Sequence, residues 1–122
     1  MIHLVAALSV IAIPPLARHD ADCVEATFWA LSWMGHEPHD EAVENVRNVS
    51  YFFLGRLTVR DEKVDWELSL SRDMKLHPQP SETTSSARLS QCADDMGKHL
   101  ITPAVKQVLD RLPSDPPPRD QK

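Results

Sequence analysis

The densest group of possible metal ligands is the segment His36-Glu37-Pro38-His39-Asp40-Glu41, which contains two imidazoles and three carboxylates. Side chains of these types bind zinc or copper in many proteins. The spacing differs from that of the helical zinc-protease motif, and Pro38 disfavours a helix here. We therefore predict a solvated loop without metal or other cofactor, whose acidic end favours the next helix N-terminus. A metal site or small enzyme built on His36 and His39 is the alternative.

Serine chemistry is the second possibility that we considered. Ser50, Ser69 and Ser71 are candidate nucleophiles, and His77 and His99 are candidate bases. No spacing in the sequence brings any of them together, and the chain has no Gly-x-Ser-x-Gly motif. We therefore assign no catalytic residue and predict a non-enzymatic protein.

The chain has two cysteines, Cys23 and Cys92, which lie near the start of the first predicted helix and within the fourth. A bridge between them would close a loop of about 70 residues and stabilise the fold by about 4 kcal/mol in the chain-entropy model. Neither cysteine has a basic neighbour that would make it a reactive thiolate. We predict a Cys23–Cys92 disulfide in an oxidising compartment, with two buried free thiols as the alternative.

The most distinctive local stretch is Tyr51-Phe52-Phe53-Leu54-Gly55-Arg56-Leu57, in which six of the seven residues are large or apolar. That is more apolar surface than one helix face can hide in a small bundle. We predict that Tyr51, Phe52, Phe53 and Arg56 bind a protein partner or an unfolded client. The alternative is that the whole stretch is core. Arg56 is expected to pair with an acidic residue such as Glu25 or Asp65.

These residues must be positioned by helices, since apolar residues recur at three- and four-residue steps throughout and no strand pattern is convincing. The predicted fold is an all-α single bundle of four to five helices. Asp22 is the expected N-cap of the first helix and Gly35 its end, and Ala42, Val46, Val49, Phe53 and Leu57 form the expected buried stripe of the second. The helices are predicted at about residues 22–34, 40–57, 62–76 and 86–100, with a fifth opening at Thr102-Pro103.

The N-terminus contains a ten-residue uncharged run, Leu4–Ile13, which is ended by Pro14 and Pro15. Its length fits the apolar region of a secretory signal and falls short of the roughly 20 residues that span a membrane. We predict a signal peptide at residues 1–17 with Ala17 before the cut, a helical domain at 18–112 and a disordered proline-rich tail at 113–122. A periplasmic or secreted location follows. The alternative is an N-terminal helix or strand packed on the domain.

The charge of the chain limits its partners. The formal net charge is −5 and the basic residues are scattered, so we predict no nucleic-acid binding. After cleavage at Ala17 no apolar run remains that would insert stably into a membrane. The oligomeric state does not follow from the sequence.

The signal-like start, the cysteine that opens the first helix, the 51–57 motif and Gln91-Cys92-Ala93-Asp94-Asp95-Met96 together resemble small exported helical proteins of proteobacteria. The resemblance covers residues 23–112 and implies a helical fold, with no particular activity and no site residues. Size, helicity and the paired cysteines are more loosely similar to the HdeA-like periplasmic acid chaperones, which implies binding of unfolded clients at acid pH.

Overall fold

Five α-helices dominate the computed structural model, which describes residues 8–35, 40–100 and 103–112. The helices are α1 (Arg18–Met34), α2 (Glu41–Arg60), α3 (Trp66–Lys75), α4 (Glu82–Leu100) and α5 (Pro103–Arg111). Within these ranges the one β contact is an isolated parallel bridge between Ser9 and Val64. The prediction of a small all-α bundle is therefore confirmed.

The first helix begins at Arg18, four residues before the predicted start at Asp22. A 3₁₀ turn at Pro15–Ala17 leads directly into it, and the fixed φ of proline is suited to such a first turn. Asp22 is therefore inside the helix, and it forms an exposed ion pair of 3.5 Å with Arg18 one turn earlier. The helix ends at Gly35 as predicted, where a φ of 78° suits a residue without a side chain.

Side-chain caps define the starts of the next two helices. The carboxylate of Asp40 accepts the backbone N–H of Ala42 at 2.8 Å, as an N-cap residue does. Asp65 caps α3 in the same way, and α3 therefore begins at Trp66 rather than near Glu62.

The remaining boundaries differ from the prediction by four residues or fewer. Helix α2 continues to Arg60, beyond the predicted end at Leu57. Helix α4 begins at Glu82 instead of residue 86, because Ser81 Oγ accepts the backbone N–H of Thr84 at 3.1 Å and caps the helix earlier. The expected start of α5 at Pro103 agrees with the structure.

The core lies where α1 packs on α2 and where α4 crosses α1. The predicted stripe of α2 is buried at four of its five positions, whereas Ala42 is exposed and the neighbouring Val43 takes its place. Cys23 and Cys92 form the predicted disulfide, with Cα atoms 5.6 Å apart. Other fully buried side chains in this core are Ala17, Ala21, Val24, Phe53, Leu57 and Leu70.

The described part of the N-terminal segment, residues 8–17, lies against the α2–α3 turn and α3. Ser9 exchanges backbone hydrogen bonds of 2.8 Å with Lys63 and Asp65, and the Ile11 N–H donates to Ser69 Oγ at 3.0 Å. These contacts match the packed segment that was the alternative to a signal peptide. They belong to the uncleaved chain, so cleavage after Ala17 stays a prediction. Residues 1–7 and the predicted tail at 113–122 lie outside the described residues.

Two further features concern the outer surface. In the described ranges, none of the helices combines the length and the apolar character that crossing a membrane requires. Val108 and Leu109 of helix α5, and Leu112 just after it, are more than half exposed. No other described helix packs closely against this face.

Candidate binding site

The structure divides the predicted binding segment 51–57 between core and surface. Phe53 and Leu57 have no exposed surface, and Phe52 is half-buried with its ring edge-on to that of Phe53, 5.0 Å between centroids. Tyr51 is 65% exposed. The segment therefore presents no continuous apolar surface. Phe53 serves the core, and a binding role remains a prediction for Tyr51 and Phe52.

Arg56 joins α2 to α1, but its partner is neither Glu25 nor Asp65. Its Nε lies 3.3 Å from the carboxylate of Asp20, and Arg60 Nη2 lies 3.5 Å from the same group. Asp20 is 2% exposed, so the two arginines supply the charge that a buried carboxylate needs. Arg56 also lies over the ring of Phe52 at 5.8 Å. The role of Arg56 in the structure is to hold two helices together.

The structure does not bring the candidate metal ligands or candidate nucleophiles together in the described part of the chain. His36 and His39 lie outside the described residues. Among the residues that are described, no three His, Cys, Asp or Glu side chains converge as metal ligands. Ser50 and Ser69 are buried, and Ser69 already accepts a hydrogen bond from the N-terminal segment.

A groove lies between α1, α3, the 77–80 linker and α4. Its polar part has a volume of about 700 Å³ and lies beside the disulfide. Its more apolar part has a volume of about 600 Å³ and is lined by Phe28, Trp29, Met74 and His77, with Glu67, Ser71 and Lys75. Trp29, Met74 and His77 line both parts, so the two adjoin. The ionisable side chains of the polar part are Arg18, His19, Asp22, Glu25, His77 and Arg88.

One face of α1 supplies much of the groove. Arg18, Asp22, Glu25 and Trp29 follow each other at steps of three and four residues, which places them along a single helix face. The opposite side of α1 packs on α2 and buries Ala21, among others. The α1 sequence thus separates a core face from a face lined by charged and aromatic groups.

Glu25 is the least expected group in the wall of the groove. It is 8% exposed, and its Oε2 has no hydrogen-bond partner among the described atoms. Burial, followed by a hydrogen bond with the nearby Asp73 carboxylate, raises the pKa of Glu25 from 4.5 to about 8. Glu25 is therefore mainly a neutral acid at pH 7, and its single proton is donated to the Asp73 carboxylate.

Asp73 stays paired with Arg18 on the same side of the groove. Its Oδ2 accepts from both terminal nitrogens of the Arg18 guanidinium, at 3.0 and 3.1 Å. The backbone carbonyl of Asp73 accepts from Nδ1 of His77 at 2.9 Å. Because a carbonyl only accepts, Nδ1 carries a proton, and in the neutral ring Nε2 is left as an acceptor.

The two histidines of the groove thus have different hydrogen-bond partners. His19 is bound to α4 through its Nε2, which lies 2.7 Å from Asp95 Oδ2. That hydrogen bond is the main reason why the pKa of Asp95 is lowered. Arg88, on the same helix, forms no ion pair with any described residue.

The sequence analysis did not identify this site. Glu25 was expected only as a partner for Arg56, and no role was predicted for Asp73 or Arg88. The signal in the sequence is the helical spacing of Arg18, Glu25 and Trp29, which falls on one face only because α1 begins earlier than predicted. Comparison of the chain with known protein families, with curated proteins and with solved structures found no match.

Proposed function

We propose that this chain is a non-enzymatic, exported binding protein that holds an extended apolar segment of a protein partner or unfolded client in the groove. The observation that carries the proposal is the position of Trp29 and Met74, which line both the apolar and the polar part. Binding sites are typically concave and largely apolar, with a few polar groups that orient the ligand.

The size and composition of the groove support an extended segment. Typical small-molecule pockets have volumes of about 300–1,000 Å³, and here two parts of about 700 and 600 Å³ adjoin. Phe28 is 38% exposed at the rim, and Trp33 and Met34 are exposed further along the same helix. Aromatic residues and methionine are enriched in protein interfaces, and the flexible thioether of methionine adapts to different apolar surfaces.

The surface near Tyr51 is a separate and weaker candidate for the same function. Tyr51 is exposed, but Phe53 and Leu57 are fully buried. The contact surface that remains is small, since Arg56 is already paired with Asp20. We therefore place the main contact in the groove and retain Tyr51 and Phe52 as an outlying contact.

Export is supported by the disulfide between Cys23 and Cys92. Disulfides persist in the periplasm and outside the cell, and they are rare where thiols are kept reduced. This compartment is also where the proposed signal peptide would deliver the chain.

The proposal is tested with the peptide Ala-Ala-Leu-Phe-Leu, acetylated at one end, amidated at the other and labelled for fluorescence anisotropy. We expect saturable binding, and we expect Phe28→Ser and Met74→Gln each to weaken it by about tenfold, equivalent to about 1.4 kcal/mol. Both side chains are at least partly exposed, so the fold should survive, which circular dichroism checks.

The matched control is Val59→Ser, which removes an apolar side chain that is 82% exposed on α2 and outside the groove. It should bind like the unmodified protein. Absence of binding, or a loss of affinity with Tyr51→Ser but not with the groove variants, would overturn the proposed site.

A further inference from the structure

The N-terminal segment lies in a slot of the helical domain that is separate from the groove. The walls of this strand slot are formed by Lys63, Val64, Asp65 and Ser69, none of which lines the groove. We propose that the strand slot binds an extended, uncharged apolar segment of a protein partner once cleavage after Ala17 has removed residues 9–13 from it. This second site rests on the export that is part of the proposed function.

The strand slot holds the segment by its main chain. The Lys63 carbonyl accepts the Ser9 N–H, and the Asp65 N–H donates to the Ser9 carbonyl, both at 2.8 Å. The Ile11 N–H donates to Ser69 Oγ at 3.0 Å. Every extended segment carries the same backbone groups, whatever its side chains. Addition of a strand through such bonds is a recurring mode of peptide recognition.

The side chains of the segment alternate between the domain and solvent. Ile11 and Ile13 are half-buried and pack against the core, whereas Val10 and Ala12 are exposed. Successive side chains of an extended chain point to opposite sides, so the slot contacts every second residue. The segment 8–17 has no charged residue. The occupant that fits is therefore uncharged and apolar at two alternate positions.

Removal of the segment leaves a surface suited to a replacement. Val64 and Ser69 are 6% and 1% exposed while the segment is in place. Without it, Ser69 Oγ loses the N–H that it accepts, and the core loses the cover of Ile11 and Ile13. Burying apolar surface again is favourable, and a second extended segment also supplies the backbone partners.

The test uses the full-length chain and a fluorescently labelled peptide with the sequence of residues 8–17. In the unmodified protein the chain's own segment fills the strand slot, so we expect weak binding. Ile11→Asp/Ile13→Asp should free the slot, because charge on these side chains opposes their burial, and should raise the affinity for the peptide by about tenfold. Circular dichroism checks the fold. If helix is lost, Ser9→Pro is the second variant, since proline lacks the N–H that Lys63 accepts.

The hydrogen bond to Ser69 is tested from both sides in the freed chain. N-methylation of the peptide at Ile11 removes the N–H donor and should weaken binding by about fivefold. The matched control is N-methylation at Val10, whose N–H forms no hydrogen bond with described residues. Ser69→Ala should weaken binding in the same way. Ser90→Ala, at an exposed serine of α4 outside the slot and the groove, should have no effect.

The outcomes separate the strand slot from the groove. Equal affinities of the freed and unmodified chains, or an affinity that neither Ile11 N-methylation nor Ser69→Ala changes, overturn the strand slot. A loss with Phe28→Ser instead places the peptide in the groove, which overturns the slot and supports the proposed function. Binding that depends on Ser69, without binding of Ala-Ala-Leu-Phe-Leu, supports the slot and overturns the groove.

A second copy of the chain is the competing occupant. Size-exclusion chromatography of the freed chain should show a monomer that binds the peptide. A dimer that binds no peptide would identify a second copy in the slot and overturn the assignment to a partner segment.

Discussion

Cys23 and Cys92 join α1 to α4 with their Cα atoms 5.6 Å apart, and both cysteines line the polar part of the groove. The covalent link therefore fixes the distance between α1 and α4 beside the groove. It contributes to the stability of the fold and to the shape of the proposed site at once.

Removing this bridge should reduce stability substantially. The cysteines are 69 positions apart in sequence, and the loss of so long a loop constraint lowers the free energy of unfolding by about 4 kcal/mol in the chain-entropy model. Urea denaturation of a Cys23→Ala/Cys92→Ala variant measures this change, and the unmodified protein with and without reductant is the control. A loss below about 1 kcal/mol would contradict a stabilising role for the bridge.

The buried carboxylate of Asp20 should be a second determinant of stability. Asp20→Asn leaves Arg56 and Arg60 without the charge that they now face. We expect the free energy of unfolding, measured in urea, to fall by about 2 kcal/mol. This is less than the loss for fully buried ion pairs, because both arginines are about one-third exposed to solvent. Asp22→Asn removes a carboxylate that is 57% exposed and should cost less than about 0.5 kcal/mol. Equal losses would show that burial of Asp20 is unimportant.

The raised pKa of Glu25 predicts that the protein becomes less stable as the pH rises. Its pKa is raised from 4.5 to about 8 in the folded chain, so between these values the folded state binds more protons than the unfolded state. The free energy of unfolding should therefore decrease from about pH 5 to pH 8, by up to about 1.4 kcal/mol per unit.

Glu25→Gln should flatten this profile when chemical unfolding is measured at several pH values. Asp95, whose pKa is lowered, contributes only as the pH falls through the acid range, so it does not disturb the comparison. A variant that retains the slope of the unmodified protein would show that another group causes it.

The N-terminal segment gives a test of the predicted cleavage site. A chain that begins at Arg18 loses the backbone hydrogen bonds of Ser9 and the bond from Ile11 to Ser69. We expect it to remain helical and to unfold cooperatively, with stability lower by about 2 kcal/mol, because the lost contacts are partly offset by the entropy of the removed segment.

Mass spectrometry of the exported protein should find Arg18 as its first residue. If the chain from Arg18 has no cooperative unfolding transition, cleavage at Ala17 is contradicted and the packed N-terminal segment is favoured. In that case the full chain found in the cell should retain residues 8–17.

Much of the fold follows from local sequence signals. The spacing of Val46, Val49, Phe53 and Leu57 predicts a buried helix face, and Gly35 and Asp40 mark a helix end and a helix start that the structure shows. The disulfide was inferred from the compartment and from the placement of the cysteines in predicted helices. The helix ends and the buried face depend on residues that are neighbours in sequence. The disulfide depends on the redox conditions of the compartment, which apply to the whole chain.

The groove depends on contacts that sequence spacing does not contain. Glu25 is a neutral acid first because the fold buries it, and second because Asp73 of a different helix approaches it. In the same way, Arg56 pairs with Asp20 because α1 begins four residues earlier than predicted and brings Asp20 into the helix interface. The exposed apolar surface was sought at 51–57, but Phe53 faces α1 and is buried there.

The most direct test of the central claim is an NMR titration of the labelled protein with the acetylated and amidated peptide. The account predicts that the largest shift changes occur at the Trp29 indole and the Met74 methyl group. Tyr51 should change little, and the affinity from these shifts should match that from anisotropy. Shift changes confined to Tyr51 and Phe52, with none at Trp29 or Met74, would contradict the assignment of binding to the groove.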